Sequence, residues 1–160
     1  LEIKIIIKMK KILLIALLSL GSLTLQAQEL TWHTDVSKAS EIALKQKKPM
    51  MMFFTGSDWC GWCIRLQKEV FKTPEFEKWA KENVILVELD YPRRTPQAEE
   101  IKAQNQQLQA MFRVQGYPTI WFVNPEKKAE TMNLNGLGNT GYVAGGPEKW
   151  LAVANSFIKK

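Results

Sequence analysis

The chain is poor in the side chains that hold metals and staple small domains: of its 160 residues two are cysteine and one is histidine. Two cysteines cannot build a framework of structural disulfides, so the core itself must supply the stability. A closed structural zinc site takes four ligands, and two thiols with a distant imidazole fall short of it. That imidazole, His33 beside Trp32, reads as a surface or edge-strand residue. No apolar run reaches the ~20 residues that span a bilayer. No repeat or low-complexity block is present, and the length is that of one ordinary domain. The formal charge is +6, yet the cations fall in scattered pairs, Lys47-Lys48, Arg93-Arg94 and Lys127-Lys128. A nucleic-acid surface clusters them more densely, so these are solvated faces and no nucleic-acid partner is expected.

What is present begins with a leader. Lys8-Met9-Lys10-Lys11 precedes the apolar run Ile12 to Leu20, and small and polar residues lead to Gln26-Ala27-Gln28. Basic start, short apolar centre and small residues before a cut make a secretory signal peptide. Residues 1–27 are therefore assigned to upstream residues and leader and residues 28–160 to one domain, although Leu25 is bulkier than a cleavage site prefers. Ile12 to Leu25 counts 14 residues, too short for an anchor, and no cysteine follows to carry a lipid. The reading is a periplasmic or secreted product with no stable membrane insertion once the leader is cut. Its removal takes four Lys and one Glu, lowering the formal charge from +6 to +3.

Downstream, Leu30-Thr31-Trp32 reads as a short edge strand, and Asp35 or Ser37 caps a helix through Lys47 with Ala39, Ile42 and Ala43 as its stripe. Met50 to Phe54 is a continuous apolar run, a buried central strand whose three methionines are core filler. The turn Thr55-Gly56-Ser57-Asp58 leads into helical periodicity from Cys60 to Val70. A second helix starts at Thr73-Pro74, a strand runs from Val84 to Asp90, and a polar, Gln-rich helix spans Ala98 to Phe112 with Ile101, Leu108, Met111 and Phe112 buried. Ile120 to Val123 is a strand, Asn124-Pro125-Glu126-Lys127 turns the chain into a hairpin near Met132 to Leu134, and a glycine-rich stretch, Gly136 to Gly146, precedes a terminal helix bearing Leu151, Ala154, Phe157 and Ile158. This alternation predicts an α/β domain with a mixed sheet covered on both faces.

The chemistry sits in Trp59-Cys60-Gly61-Trp62-Cys63. A thiolate is the good nucleophile, and the start of a helix stabilises one through its free N–H groups and its dipole. Residues i and i+3 share a helix face, so a Cys60 that has attacked a disulfide is within reach of a resolving Cys63. A metal site, a structural disulfide and two inert core thiols are the competing readings. The first lacks ligands, and a bridge closing so short a loop stabilises little.

Strand, Trp-Cys-x-x-Cys, helix, and the later Tyr117-Pro118-Thr119 before a hairpin strand resemble the thioredoxin superfamily over about the whole of residues 28–160. The run Phe54 to Cys63 followed by Glu69-Val70-Phe71 is similar to exported thioredoxin-like proteins of the DsbH and thioredoxin-7 type. The resemblance implies a thioredoxin fold and thiol-disulfide oxidoreductase activity without cofactor or metal. It places a cis Pro118 opposite the cysteine pair, with the backbone at Tyr117 pairing with an extended substrate. It also exposes a departure. The superfamily keeps a buried Asp six residues before the first cysteine, where this chain has Phe54. Glu88 stands at the third-strand position that usually holds that acid's lysine partner, and is the proposed replacement, a buried carboxylate taking the proton of Cys63. Trp59, Gly61 and Trp62 complete the expected substrate contact, Trp59 mainly as packing and Trp62 as the contact proper.

Gly61-Trp62 adds no cation to stabilise a thiolate strongly, so reduction or isomerisation of protein disulfides is favoured over oxidation, with a membrane electron donor to keep the pair reduced. A thioredoxin-fold peptide-binding or chaperone module is the alternative, and Cys60→Ser separates the two.

Overall fold

The computed structural model describes residues 30–158, and the leader read in residues 1–27 lies outside them. Strands and helices follow as β1 (Trp32–His33), α1 (Val36–Gln46), β2 (Met50–Thr55), α2 (Gly61–Leu66), a π-helical segment (Gln67–Phe71), α3 (Pro74–Asn83), β3 (Ile85–Asp90), α4 (Glu99–Met111), β4 (Thr119–Lys128), β5 (Thr131–Thr140) and α5 (Gly146–Ile158). The sheet order is β1-β3-β2-β4-β5. Strands β1 and β2 run parallel to β3, while β4 is antiparallel to β2 and β5. This is the mixed, doubly covered sheet that the alternation predicts.

Local chemistry accounts for the boundaries. The Asp35 carboxylate accepts the Lys38 N–H at the start of α1, and Lys47 ends that helix at φ 54°. Thr73 caps α3 with Pro74 at its first position, where a missing N–H costs nothing. Every residue of β2 is buried, as a central strand with two covered faces requires. Its alternation splits the core. Met51 and Phe53 point to the side of α2, α3 and α5, with Trp150 and Phe122, whereas Met50, Met52 and Phe54 meet Ala39, Ala43, Leu108 and Phe112 on the side of α1 and α4. Each large side chain so buried stabilises by about 1.5–3 kcal/mol.

Several expectations give way. The helix opened by the cysteines passes into a π segment, where the Lys72 N–H reaches the Gln67 carbonyl, and the consecutive Val70 and Phe71 are both buried there. On α4, Met111 is 63% exposed, and the buried face is Asn105 and Leu108, with Phe112 just beyond. The polar character of this helix is structural: Asn105 Nδ2 donates to the Asp90 carbonyl and Gln104 Oε1 accepts the Val36 N–H. Asn124 to Lys127 does not turn the chain but continues β4, with Pro125 opposite Leu134. Past Val123 β4 no longer pairs with β2, so its open side has no donor to lose at proline. The glycine stretch likewise begins inside β5, where Gly138 admits the Phe157 ring so closely that a Cβ has no room.

Candidate active site

Cys60 is the N-cap of α2, extended at φ −86° and ψ 97°, and its sulfur accepts the Cys63 N–H at 3.2 Å. The two sulfurs are bonded at 2.10 Å, with Cα atoms 5.3 Å apart. Cys63 is fully buried and Cys60 is 6% exposed, so solvent touches Cys60 alone. Free N–H groups and the dipole at the helix start favour negative charge on that sulfur. Gly61 opens the helix with no atom of the described residues within 4 Å of a Cβ placed on it.

One flank is built by Trp59 and Tyr117. The Trp59 ring stands edge-on to Tyr117 at 5.6 Å, and Tyr117 tilts against Tyr91 at 5.2 Å. Trp59 Nε1 donates to the Tyr91 carbonyl at 2.8 Å, and the Arg93 guanidinium lies 3.8 Å from the Trp59 ring centre. Gly56 is required beneath, since a Cβ there collides with the indole. The Tyr117–Pro118 bond is cis, as the resemblance implied. Burial raises the Tyr117 phenol above its usual range.

This flank is latched by residues that the sequence did not single out. The Asp58 carboxylate accepts the N–H groups of Arg93, Arg94 and Thr95 at 3.0, 2.8 and 2.9 Å, and the Thr95 hydroxyl as well. The Arg93 N–H first, then those of Arg94 and Thr95, hold the acid down at about 2 against desolvation. Asp90 accepts the Ser57 N–H at 2.8 Å. The turn before Cys60 is thereby tied to the loop after β3, some 35 residues away. The only hint in the sequence is an Asp immediately before Trp-Cys in a turn cluster.

The opposite flank carries Trp62, 55% exposed, tilted against Tyr142 at 5.1 Å. The Arg65 guanidinium lies 5.3 Å from the Trp62 ring and 5.1 Å from that of Tyr142. Glu69 accepts from Arg65 Nε at 2.7 Å and from the Tyr142 hydroxyl. Those two donors, Tyr142 first, lower the Glu69 carboxyl below its ordinary range. Glu69 belongs to the Glu-Val-Phe run noted in the sequence; Tyr142 had no local signal.

On β3, Glu88 is half-buried with its side chain on the cysteine side of the sheet, in register with Phe53. It lines a cavity of about 200 Å³ with Trp32, Phe53, Gln67, Phe71 and Lys72. Gln67 is one helical turn beyond Cys63, which is not among the lining residues. Burial first, then the charge of Asp90, raises the Glu88 carboxyl. Strand alternation sends Phe54 to the far face, so the residue across from Glu88 on the cysteine side is Phe53. Thr55 is fully buried on this strand, and its hydroxyl has no hydrogen-bond partner among the described residues.

Comparison with known proteins follows the same lines. Residues 31–125 match the family described as thioredoxin-like. The chain is 34% identical over 133 residues to the disulfide bond reductase DsbH of Chlamydia pneumoniae, covering 83% of this chain and 75% of that protein. It is 33% identical to the thioredoxin-related protein DsbJ of the same organism, spanning 83% of this chain but 40% of DsbJ. Among solved structures, a DsbH oxidoreductase superposes with a TM-score of 0.74 at 32% identity, over 87% of this chain and 91% of that one. A thioredoxin from Thermus thermophilus shares the fold, with a TM-score of 0.56 at 20% identity over 79% of this chain and 85% of its own.

Proposed function

Because the chain belongs to the thioredoxin-like family and is a thiol-disulfide oxidoreductase, we propose that it acts outside the cytoplasm as a reductase of protein disulfides, with Cys60 attacking and Cys63 resolving. The observation that carries the assignment of roles is the difference between the sulfurs: Cys60 caps the helix and reaches solvent, while Cys63 is sealed behind it.

In the reduced protein the Cys60 thiolate attacks one sulfur of a substrate disulfide. A mixed disulfide forms and one substrate thiolate leaves. Cys63 then gives up its proton and attacks the Cys60 sulfur, which releases the second substrate thiol and yields the Cys60–Cys63 bond present here. The substrate gains two electrons and the protein loses two, so each turnover needs a dithiol donor, for which a membrane-bound one is proposed. Glu88 is the proposed acceptor of the Cys63 proton, supported by its place on the cysteine side and by a carboxyl that burial raises above its ordinary range. The Trp59, Tyr117 and Pro118 flank is the proposed surface for an extended substrate backbone, with Gly61 leaving the approach open and Trp62 meeting its side chains.

The reductive direction is supported by the name of the relative DsbH, a disulfide bond reductase, and by a Gly-Trp pair that adds no cation to the nucleophile. Export rests on the leader pattern of Lys8 to Gln28. Equilibrating the Cys60/Cys63 couple against defined thiol buffers tests the direction. A reductase gives a potential near the ~−270 mV of thioredoxin, and a value near ~−120 mV reverses the assignment to disulfide formation.

A further inference from the structure

We propose that Trp62 and Tyr142 form a recognition wall for an aromatic or large apolar side chain flanking the substrate's disulfide, with Glu69 as the positioning residue that holds the wall in place. This deepens the reductase reading above and rests on it.

Trp62 stands between the two cysteines in sequence, yet its indole is 55% exposed. An exposed side chain of that size often stands alone, and this one has packed neighbours. Its ring meets Tyr142 at 5.1 Å, and Arg65 lies over both rings. Glu69 closes the assembly by accepting from Arg65 and from the Tyr142 hydroxyl. The carboxylate and the guanidinium are paired with each other, with Lys68 also near Glu69, so what Trp62 and Tyr142 themselves present is aromatic surface. The two ring faces favour selection by apolar and aromatic contact.

The position of the wall fits the same occupant. Tyr142 lies in the loop after β5, next to Gly141, whose carbonyl accepts Trp150 Nε1 at 3.1 Å. A Cβ on Gly141 would stand 3.2 Å from the Pro118 carbonyl oxygen. This loop therefore reaches from the Pro118 backbone to α2, opposite the flank of Trp59 and Tyr117. A segment laid along Tyr117 and Pro118 with its sulfur at Cys60 has a neighbouring side chain to place on Trp62 and Tyr142.

The test is single-turnover oxidation of the reduced protein by two disulfide-linked peptides that differ only in Phe or Ala beside the cysteine, with glutathione disulfide as a third oxidant. The expected result is a second-order rate constant about tenfold higher for the Phe peptide, with the difference in half-saturation rather than maximal rate. Trp62→Ala abolishes the preference, and Tyr142→Phe, which keeps the ring and removes the tether to Glu69, weakens it to about threefold. Equal rate constants for the two peptides with the unmodified protein overturn the proposal whether or not any variant folds, as does a preference that survives Trp62→Ala. If none of the three disulfides oxidises the protein, the reductive reading itself fails and the proposal falls with it.

Discussion

Replacing Trp59 by Phe asks whether this residue is packing or substrate contact. The indole Nε1 donates at 2.8 Å to the Tyr91 carbonyl, and Phe cannot. The loss of such a hydrogen bond costs about 1 kcal/mol. The Arg93 guanidinium at 3.8 Å prefers indole to benzene, which adds a few tenths to about 0.5 kcal/mol at this partly exposed site. The edge-on contact with Tyr117 is retained in part, and the space that Gly56 leaves for the larger ring is left underfilled. Together these place the destabilisation at about 1–2 kcal/mol. With a urea slope of about 2 kcal/mol per molar, the middle of the range for a small domain, the unfolding midpoint falls by about 0.5–1 M. The assay is equilibrium urea unfolding of the oxidised protein, followed by far-ultraviolet circular dichroism so that the lost indole does not confuse the signal. A midpoint within about 0.2 M of the parent, accompanied by weaker peptide saturation, refutes the packing account and makes Trp59 a substrate contact.

Glu88→Gln is expected to slow release of the mixed disulfide by about a hundredfold, the lower end of what a positioned acid or base supplies; quenched-flow analysis of the Cys60 adduct checks this, and an unchanged rate removes Glu88 from the mechanism. The raised carboxyl also means that the folded state holds this proton more tightly than the unfolded chain, so its contribution to stability declines as pH rises through the unfolded value toward the folded one. Glu88→Gln therefore gains relative to the parent between acidic and neutral pH, read as urea midpoints at the two ends. For Asp58, with its carboxyl at about 2, the sign is opposite: the latch is present above the ordinary carboxylate value of 3.8 and is lost as pH falls through the lowered one. Asp58→Ala is expected to reduce amide-exchange protection at Arg93, Arg94 and Thr95 at neutral pH, whereas unchanged protection would mean that the loop holds its shape without the acid.

Much of the scaffold was legible because its signals are local. Met50 to Phe54 has no polar residue, so a strand buried on both faces was the economical reading, and all five side chains are buried. Thr73-Pro74 and Asp35 carry their capping chemistry within three residues, and α3 and α1 begin there. The readings that failed depended on neighbours. Met111 keeps helical spacing with Leu108, yet among the described residues it stays largely exposed. Pro125 marks a turn in isolation, but a hairpin arm that outruns β2 accepts it.

The site divides along the same line. From residue order alone came a dithiol at a helix start, the order of attack and resolution proposed for it, and a proline before a hairpin, because a thiol pair at i and i+3 has its geometry written into four residues. Only the tertiary structure could decide what surrounds that pair. Asp58 meets Arg93 across 35 residues, Glu69 meets Tyr142 across 73, and Phe53 rather than Phe54 faces the cysteine side, because strand alternation and not sequence distance sets the face. Sequence periodicity reports which way a side chain points within its own element; which groups meet there depends on how the sheet and its two layers of helices close.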